Sequence, residues 1–413
     1  MDLSLPPEIE AIRRRTRDFV AEEILPVEAD RANWDAHDNI ARHALEPLRE
    51  KARAAGLWCP QVARERGGMG LPVVGWAAMY EEANRSIFGP VVFNCAAPDD
   101  GNMNVLGRIA TPEQQDRWLQ PIADGRVSSA FVMTEPAPGG GSDPGMMRTR
   151  AERVPGGWRV SGRKWFITGG EDASHFILIA RTDQNPEEKR RHLSAFLFHR
   201  DEPGWSILRR IPIMGPEEHG GHCELLFDGL ELADDRLLMG VGDGLKVTQI
   251  RLGPARLTHC MRWLGLAKRA MAEAQSYVDT RDAFGMRLSD RESVQMKLGR
   301  VAQAIEVGRL LVMKAAWLID SGDRARTAIS MAKVHVADTL HLAADTAIQL
   351  CGARGYSRDT VLEWIYRYAR QARLVDGASE VHEMVLAAAY RAEGDAFWRW
   401  GVPDRAPTMR KAS

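Results

Sequence analysis

The chain has 413 residues and a formal net charge of −1, with 45% hydrophobic and 27% charged residues. That length supports a large core or two to three packed domains, and near neutrality leaves no overall field for nucleic acid or an anionic membrane surface. Cys59, Cys95, Cys223, Cys260 and Cys351 are scattered and form no CxxC pair. The N-terminus has no apolar signal core and no stretch reaches membrane-spanning length, so a reduced cytoplasmic protein without membrane contact is expected.

Residues 1–127 read as helices joined by loops. "PPEIEAIRRRTRDFVAEEIL" has proline at its start, early acids and apolar residues at helical spacing. "VVGWAAMYEEANRS" and "TPEQQDRWLQPIADG" follow the same pattern, the second opening on a Thr-Pro-Glu start. Residues 128–240 change texture. "GWRVSGRKWFITGG", "SHFILIART", "LSAFLFHR", "WSILRRI" and "CELLFDGLEL" are short, β-branched or aromatic, and glycine-rich turns separate them. They predict an antiparallel, barrel-like β-domain, with "DQNPEEKRR" (183–191) as its most polar loop. Residues 241–413 return to helix. "LTHCMRWLGLAKRAMAEAQSYVDTR", "SVQMKLGRVAQAIEVGRLLVMKAAWLIDSG" and "RTAISMAKVHVADTLHLAADTAIQLCG" are long and periodic, and glycine closes the last two. With "DTVLEWIYRYARQARL" and a helix after Asp376 they predict a four-helix bundle. The fold class expected is therefore α+β multidomain, in the order helical, β, helical.

The candidate chemistry is spread thinly. "TEPAPGGGSDPG" ends a likely strand, and its glycines would let backbone N–H groups converge on a phosphate, although such clusters more often mark surface turns. "GVGDGL" (240–245) lacks the third glycine of a dinucleotide loop and is followed only by helix. "HGGHC" (219–223) is too tightly spaced for a usual zinc site, so no metal is expected. On "RKWFITGG", Phe166 and Thr168 share one strand face, an aromatic plane beside a hydroxyl. Asp376, in "LVDGASEVHEMV", reads locally as a helix N-cap.

Taken together, "MTEP", "GSD", "GRKWFITGG", "RLGPARLTHCMRWLGLAKRA", "TRDAFG", "QLCGARGYS" and "LVDGASEVH" resemble the acyl-CoA dehydrogenase family, in order and along essentially the whole chain. "FNCAAPDDGNMNVL", "EEHGGHCELLF" and "IRLGPARLTHCMR" resemble the branch whose larger eukaryotic members carry a fused kinase-like domain, a branch associated with long-chain or 4-oxygenated, including 4-phosphorylated, acyl-CoAs. The resemblance implies FAD as cofactor. It places Phe131, Met133 and Thr134 beside the flavin pyrimidine, Gly141 and Ser142 at the pyrophosphate, and Phe166 and Thr168 at the ring. It also assigns Arg281, Phe284, Gln349, Cys351, Gly352 and Ala353 to the ADP half across a subunit interface.

The same resemblance makes Asp376 the base that takes the α-proton while flavin N5 takes the β-hydride. Arg256 falls beside the active site, and Ser142, Asn94 and Asp99 join it as candidate substrate contacts. Asn94, Asp99, Asn102 and Asn104 would be costly walls for a plain alkyl chain, which favours an oxygen on the acyl group. Burial beside that chain is expected to raise the Asp376 pKa. An electron-transfer flavoprotein or similar acceptor and a homodimer or homotetramer are implied as partners. Two departures stand out: "APGG" lengthens the loop between TEP and GSD, and aspartate stands where glutamate is common. A flavin oxidase acting on a carbon acid without CoA, and a flavoprotein without catalysis, are the alternatives from other classes.

Overall fold

A computed structural model describes residues 4–182 and 192–398; the polar stretch 183–191 lies outside the described residues. The first layer is helical. Helix α1 (Pro7–Phe19) opens on proline with Glu8 and Glu10 in its first turn, where the helix dipole favours acids. Helices α2 (Arg42–Ala54), α3 (Val73–Ala83) and α4 (Asp99–Ile109) follow. Ile9, Leu45, Leu48, Trp76, Met79 and Tyr80 join the apolar core shared with the C-terminal helices. Thr111 caps a short helical stretch, with Gln114 returning the bond in a capping box.

Within the polar stretch that begins at "FNCAAPDDGNMN", Asp99–Ile109 is a helix with Asp100, Asn102 and Asn104 buried. The polar side chains are tolerated because several have partners elsewhere in the chain. Asn94, at φ +52°, donates from Nδ2 to the Ile122 carbonyl at 2.9 Å. Asp99 accepts the Ser129 backbone N–H at 2.7 Å and its hydroxyl at 2.6 Å. Burial still pushes the Asp99 carboxyl up to about 6.

The second layer is one sheet built from β1 (Ser128–Val132), β2 (Arg150–Val154), β3 (Gly157–Thr168), β4 (Ala173–Arg181), β5 (Leu193–His199), β6 (Trp205–Arg210), β7 (His222–Ala233) and β8 (Leu237–Leu238). The order is β6-β7-β3-β2-β4-β5-β8, with β1 alongside β4. Two expectations are corrected. The sheet does not close into a barrel, because β6 and β8 end the path without pairing to each other. Nor is it wholly antiparallel: β1 runs parallel to β4, and β2 meets β4 in parallel at Arg150 and Arg181. The β6 edge carries charge, with Arg209 paired to Glu224 and Arg210 to Glu171 and Glu217, which blunts edge-to-edge association.

A register break between Lys164 and Ile167 interrupts the pairing of β3 with β7. Lys164 and Ile167 both face the interior, while Phe166 turns outward at φ +50° and stays 45% exposed. Lys164 is fully buried; its Nζ donates to the Met133 carbonyl at 2.7 Å and pairs with Glu135 at 3.0 Å. Glu135 also accepts the backbone N–H groups of Arg148 and Thr149, at 2.6 and 2.9 Å. One carboxylate thus closes the long loop 136–147, and Gly139 passes so near that a Cβ there would sit 2.3 Å from Oε2.

The third layer is helical: α5 (Gly244–Val278), α6 (Glu292–Asp320), α7 (Arg326–Cys351), α8 (Leu362–Gln371) and α9 (Ser379–Glu393). Helix α5 starts at Gly244 and runs through Pro254, well before the periodic segment read from Leu257. Gly244 allows it to begin hard against β5, where a Cβ would sit 2.7 Å from the Leu193 carbonyl carbon. A two-strand hairpin, β9 (Asp282–Ala283) with β10 (Met286–Arg287), joins α5 to α6. All five cysteines are free and buried, and among the described residues no helix is long and apolar enough to cross a membrane.

Burial pulls Lys164 down to about 8 although Glu135 opposes the shift. Removing one partner of a buried pair strands the other charge, so Lys164→Met should cost about 3–5 kcal/mol of unfolding free energy. Chemical denaturation of the variant beside the wild type measures this loss.

Candidate active site

Asp376 is not a cap. The N-cap of α9 is Ala378, whose side chain makes no capping bond, and Asp376 sits ahead of it at φ +53°. Aspartate tolerates this left-handed conformation better than most residues, and the turn around it is held from several sides. Lys333 of α7, fully buried, donates to the carbonyls of Ala372 and Gly377 at 2.8 and 2.9 Å. Arg256 of α5 donates from Nε to the Asp376 carbonyl at 2.7 Å. His382 of α9 lies beneath Gly377, and its Nδ1 is 3.1 Å from the Ser330 hydroxyl.

With its backbone held, the Asp376 side chain faces α5. Oδ2 lies 3.5 Å from His259 Nε2 and 3.6 Å from an Arg251 guanidinium nitrogen, buried and without a hydrogen bond. Burial alone would raise the carboxyl pKa, but His259, Arg251 and Arg256 outweigh it and hold the group well below the usual carboxylate range. The expected upward shift is therefore corrected, because the groups that reverse it come from a helix more than a hundred residues away in sequence.

Arg251 links this carboxylate to the β-domain. It is 5% exposed, its guanidinium carbon is 4.8 Å from the Phe131 ring centroid, and its Nε is 3.4 Å from Asn102 Oδ1. Helix α4 makes room for it at Gly101, where a Cβ would lie 3.0 Å from Arg251 Nε. One side chain thus touches the aspartate turn, the first strand and the N-terminal helical layer.

Around Phe131 the half-buried residues Met133 and Thr134 continue the line of β1. The Thr134 carbonyl accepts the Trp165 backbone N–H at 3.0 Å, which brings β3 and the exposed Phe166 ring alongside. Thr168 Oγ1 lies 3.0 Å from His222 Nδ1, and His222 Nε2 lies 3.1 Å from Glu218. The second histidine of "HGGHC" is thus spent on Thr168 and Glu218, the first meets the Ile40 carbonyl at 2.9 Å, and among the described residues no cluster of metal-ligating side chains forms. Gly141 and Ser142 are exposed at the tip of the Glu135-closed loop.

A second group gathers at the far end of α5 and α7. Arg281 is exposed, and Phe284 is 98% exposed at φ +51° on the hairpin. The Arg354 guanidinium carbon, 5.9 Å from the Tyr277 ring centroid, ties the exposed Gln349, Gly352 and Ala353 to this end, and the buried Cys351 Sγ is 4.0 Å from the Glu273 carbonyl. Among the described residues no hydrogen bond, ion pair or ring contact joins this group to the one around Phe131. Asn94 and Asp99 fall in neither group; their polar atoms are taken up inside the N-terminal layer and against Ser129.

Comparison with known proteins decides the family. Profiles of the acyl-CoA dehydrogenase N-terminal, middle and C-terminal domains match residues 6–126, 130–230 and 242–390. The chain belongs to the acyl-CoA dehydrogenase family, whose members are FAD-binding oxidoreductases. FadE2 of Mycobacterium tuberculosis, assigned as a probable acyl-CoA dehydrogenase, is 36% identical over 94% of this chain and 97% of its own. Acyl-CoA dehydrogenase family member 11 of Homo sapiens is 34% identical over 90% of this chain, which spans 49% of that longer protein. A solved Mycobacterium abscessus protein assigned as an acyl-CoA dehydrogenase superposes with a TM-score of 0.87 at 36% identity, covering 94% of this chain and 99% of its own.

Arg251 and His259 escaped the sequence reading. Arg251, Ala255, Thr258, His259 and Arg262 recur at three- and four-residue spacing, so the sequence held the signal that they share a helix face; Pro254 hid it.

His382 is 2% exposed, and burial, with Arg256 and Lys333 nearby, lowers its pKa from 6.5 to about 4. A histidine depressed on folding binds protons more readily when unfolded. Its contribution is complete above the unfolded value and is lost as pH falls toward the folded one. The loss should reach about 2–4 kcal/mol at ~1.4 kcal/mol per pH unit. Denaturation curves at neutral and acid pH should show the wild type losing more stability than His382→Gln.

Proposed function

We propose that the protein catalyses FAD-dependent α,β-dehydrogenation of an acyl-CoA thioester, with Asp376 as the base and an oxygen substituent on the acyl chain. The observation that carries this reading is Arg251 spanning Asp376 and Phe131, because it puts the carboxylate beside the residues suited to a flavin. An α C–H next to a thioester is a weak acid, and its removal needs an ionised carboxylate and stabilisation of the enolate charge. Arg251, His259 and Arg256 keep Asp376 ionised before substrate arrives. Once the proton has moved to Asp376, the Arg251 and Arg256 guanidinium groups face the negative charge left on the substrate.

The residues present fit FAD. Phe131, Met133, Thr134, Phe166 and Thr168 offer a flat apolar surface with hydroxyls, and the outward Phe166 ring has nothing of this chain covering almost half of it. Gly141 and Ser142 present exposed backbone and a hydroxyl to a pyrophosphate. When bound, the flavin supplies the acceptor for the β-hydride. Arg281, Phe284, Gln349, Cys351, Gly352 and Ala353 would hold the ADP half of a cofactor bound mainly to another copy. That division is supported by the lack of contact between the two groups and by the exposure of Phe284 and Tyr356, at 98% and 82%, which a partner would cover. The functional unit is then a homodimer or homotetramer, with an electron-transfer flavoprotein or similar acceptor as its redox partner. An FAD-saturated, active monomer in sedimentation would overturn the shared site.

Arg251 also supports the substrate class. A buried guanidinium with one long bond to Asn102 is costly beside a plain alkyl chain, whereas a hydroxyl or phosphate on that chain gives it a partner. This replaces Asn94 and Asp99 as the reason for an oxygenated chain.

Two measurements test the reading. Asp376→Asn should keep its FAD but lose anaerobic flavin bleaching by an acyl-CoA, about 1,000-fold or more, as for loss of a general base in an enclosed site; bleaching at near wild-type rate would sink the assignment. Across matched plain, 4-hydroxy and 4-phospho acyl-CoAs, kcat/KM should favour an oxygenated chain. Arg251→Met should shrink that ratio about 10–100-fold, the worth of a charged hydrogen bond. A preference for the plain chain would reject the substrate class and leave the dehydrogenase reading intact.

A further inference from the structure

The side chains behind Asp376 form a line that the reaction as described does not use. Asp100 of α4 is 3% exposed and receives three donors. Arg262 donates to its Oδ2 at 2.6 Å, Thr258 Oγ1 to the same oxygen at 2.8 Å, and the Gly101 N–H to its Oδ1 at 2.6 Å. Arg262 spends a further bond on the Cys95 carbonyl at 2.9 Å, so its guanidinium is fixed in place. Its second terminal nitrogen lies 3.3 Å from His259 Nδ1. The His259 ring is stacked on Trp263, with centroids 5.3 Å apart and planes 26° apart. Its other nitrogen, Nε2, is 3.5 Å from Asp376 Oδ2.

Arginine donates hydrogen bonds and accepts none. The His259 nitrogen that faces Arg262 must therefore present its lone pair, which leaves the ring proton on Nε2, toward Asp376. Charged groups lie around the ring on three elements, α5, the aspartate turn and α4. Arg262 and Arg251 flank it from its own helix, and Arg256 stands behind the aspartate turn. Asp376 receives the proton from the loop side, and Asp100 on α4 is already neutralised by Arg262.

We propose that His259 is a positioning residue for the Asp376 base: locked by Arg262 as the Nε2–H tautomer, it holds Oδ2 and leaves Oδ1 for the α-proton. Aspartate is one methylene shorter than glutamate, so its carboxylate swings on a shorter arm, and a fixed donor behind one oxygen sets the direction of the other. The contact is longer than a hydrogen bond in the free protein and closes when substrate excludes water from the site. The inference rests on Asp376 acting as the base.

The tautomer is tested without turnover. In protein carrying 15N-histidine, long-range 1H–15N correlation distinguishes the two neutral tautomers, and the His259 signals are those lost in His259→Gln. An Nε2–H pattern is expected; an Nδ1–H or doubly protonated ring would overturn the proposal. The positioning role is tested on the FAD-loaded enzyme by the limiting rate of anaerobic flavin reduction. Glutamine places an amide N–H near the position of Nε2, and leucine does not. His259→Leu should lower the limiting rate about 10–100-fold with substrate affinity unchanged, because a misplaced base costs rate rather than binding. His259→Gln should recover most of that loss. Equal losses in the two variants, or none in either, would reject His259 as the positioning group. If Asp376→Asn still abolishes reduction in that case, the base assignment survives and only the positioning role falls.

Discussion

The site depends on holding one turn of backbone, Arg373 to Ala378, against helices α5 and α7. A carboxylate on an unrestrained turn would point to water, where it is most stable. Here the buried Lys333 ammonium and the half-buried Arg256 guanidinium bind the carbonyls of Ala372, Asp376 and Gly377, and their own desolvation is offset only while those carbonyls stay in place. The left-handed conformation at Asp376 and the burial of Lys333 are two sides of one constraint. The turn is strained and the lysine is costly, and each is tolerated because of the other. The aspartate faces α5 because of that backbone constraint, which leaves the choice between its two oxygens to the groups it meets there.

The layering follows the same economy of support. Helix α4 sits where the N-terminal layer, the first strand and α5 meet, and its polar residues are the rivets: Asp99 to Ser129, Asp100 to Arg262 and Thr258, Asn102 to Ser129 and Arg251. Buried polar networks of this kind rigidify when fully satisfied and are costly when cut. The middle sheet beside them stays open. Closure would protect its edges, but β6 guards its edge with arginine–glutamate pairs instead.

Much of the architecture was legible in the sequence, for physical reasons that can be named. Gly322 and Gly352 follow α6 and α7 in positive-φ conformations, so the ends of those helices were written as glycines. Alternation holds from Phe166 to Thr168, with Ile167 turned inward between them, although the register break between Lys164 and Ile167 takes in Phe166. Closure of the sheet was not legible, because a period of two says which face a residue takes and nothing about whether the edge strands meet. The polar run at Asn94–Asn104 was misread because its partners, Ile122 and Ser129, lie about thirty residues on, beyond any local pattern. Asp376 stood out as a candidate base only through the assembled family resemblance, since locally it imitates a cap. The sign of its pKa shift was missed because burial is a local inference, whereas Arg251 and His259 arrive by folding.

Gly101 gives the arrangement a hereditary side. Its missing side chain is the space that the Arg251 guanidinium occupies, and these residues belong to helices in different layers. Any β-carbon at 101 would crowd the cation beside the aspartate, and a shorter residue at 251 would leave a hole that a larger residue at 101 could fill. A change at either position therefore presses on the other. A lineage that carries the arginine is held to its glycine, so the space beside the aspartate depends on a residue that has no side chain of its own.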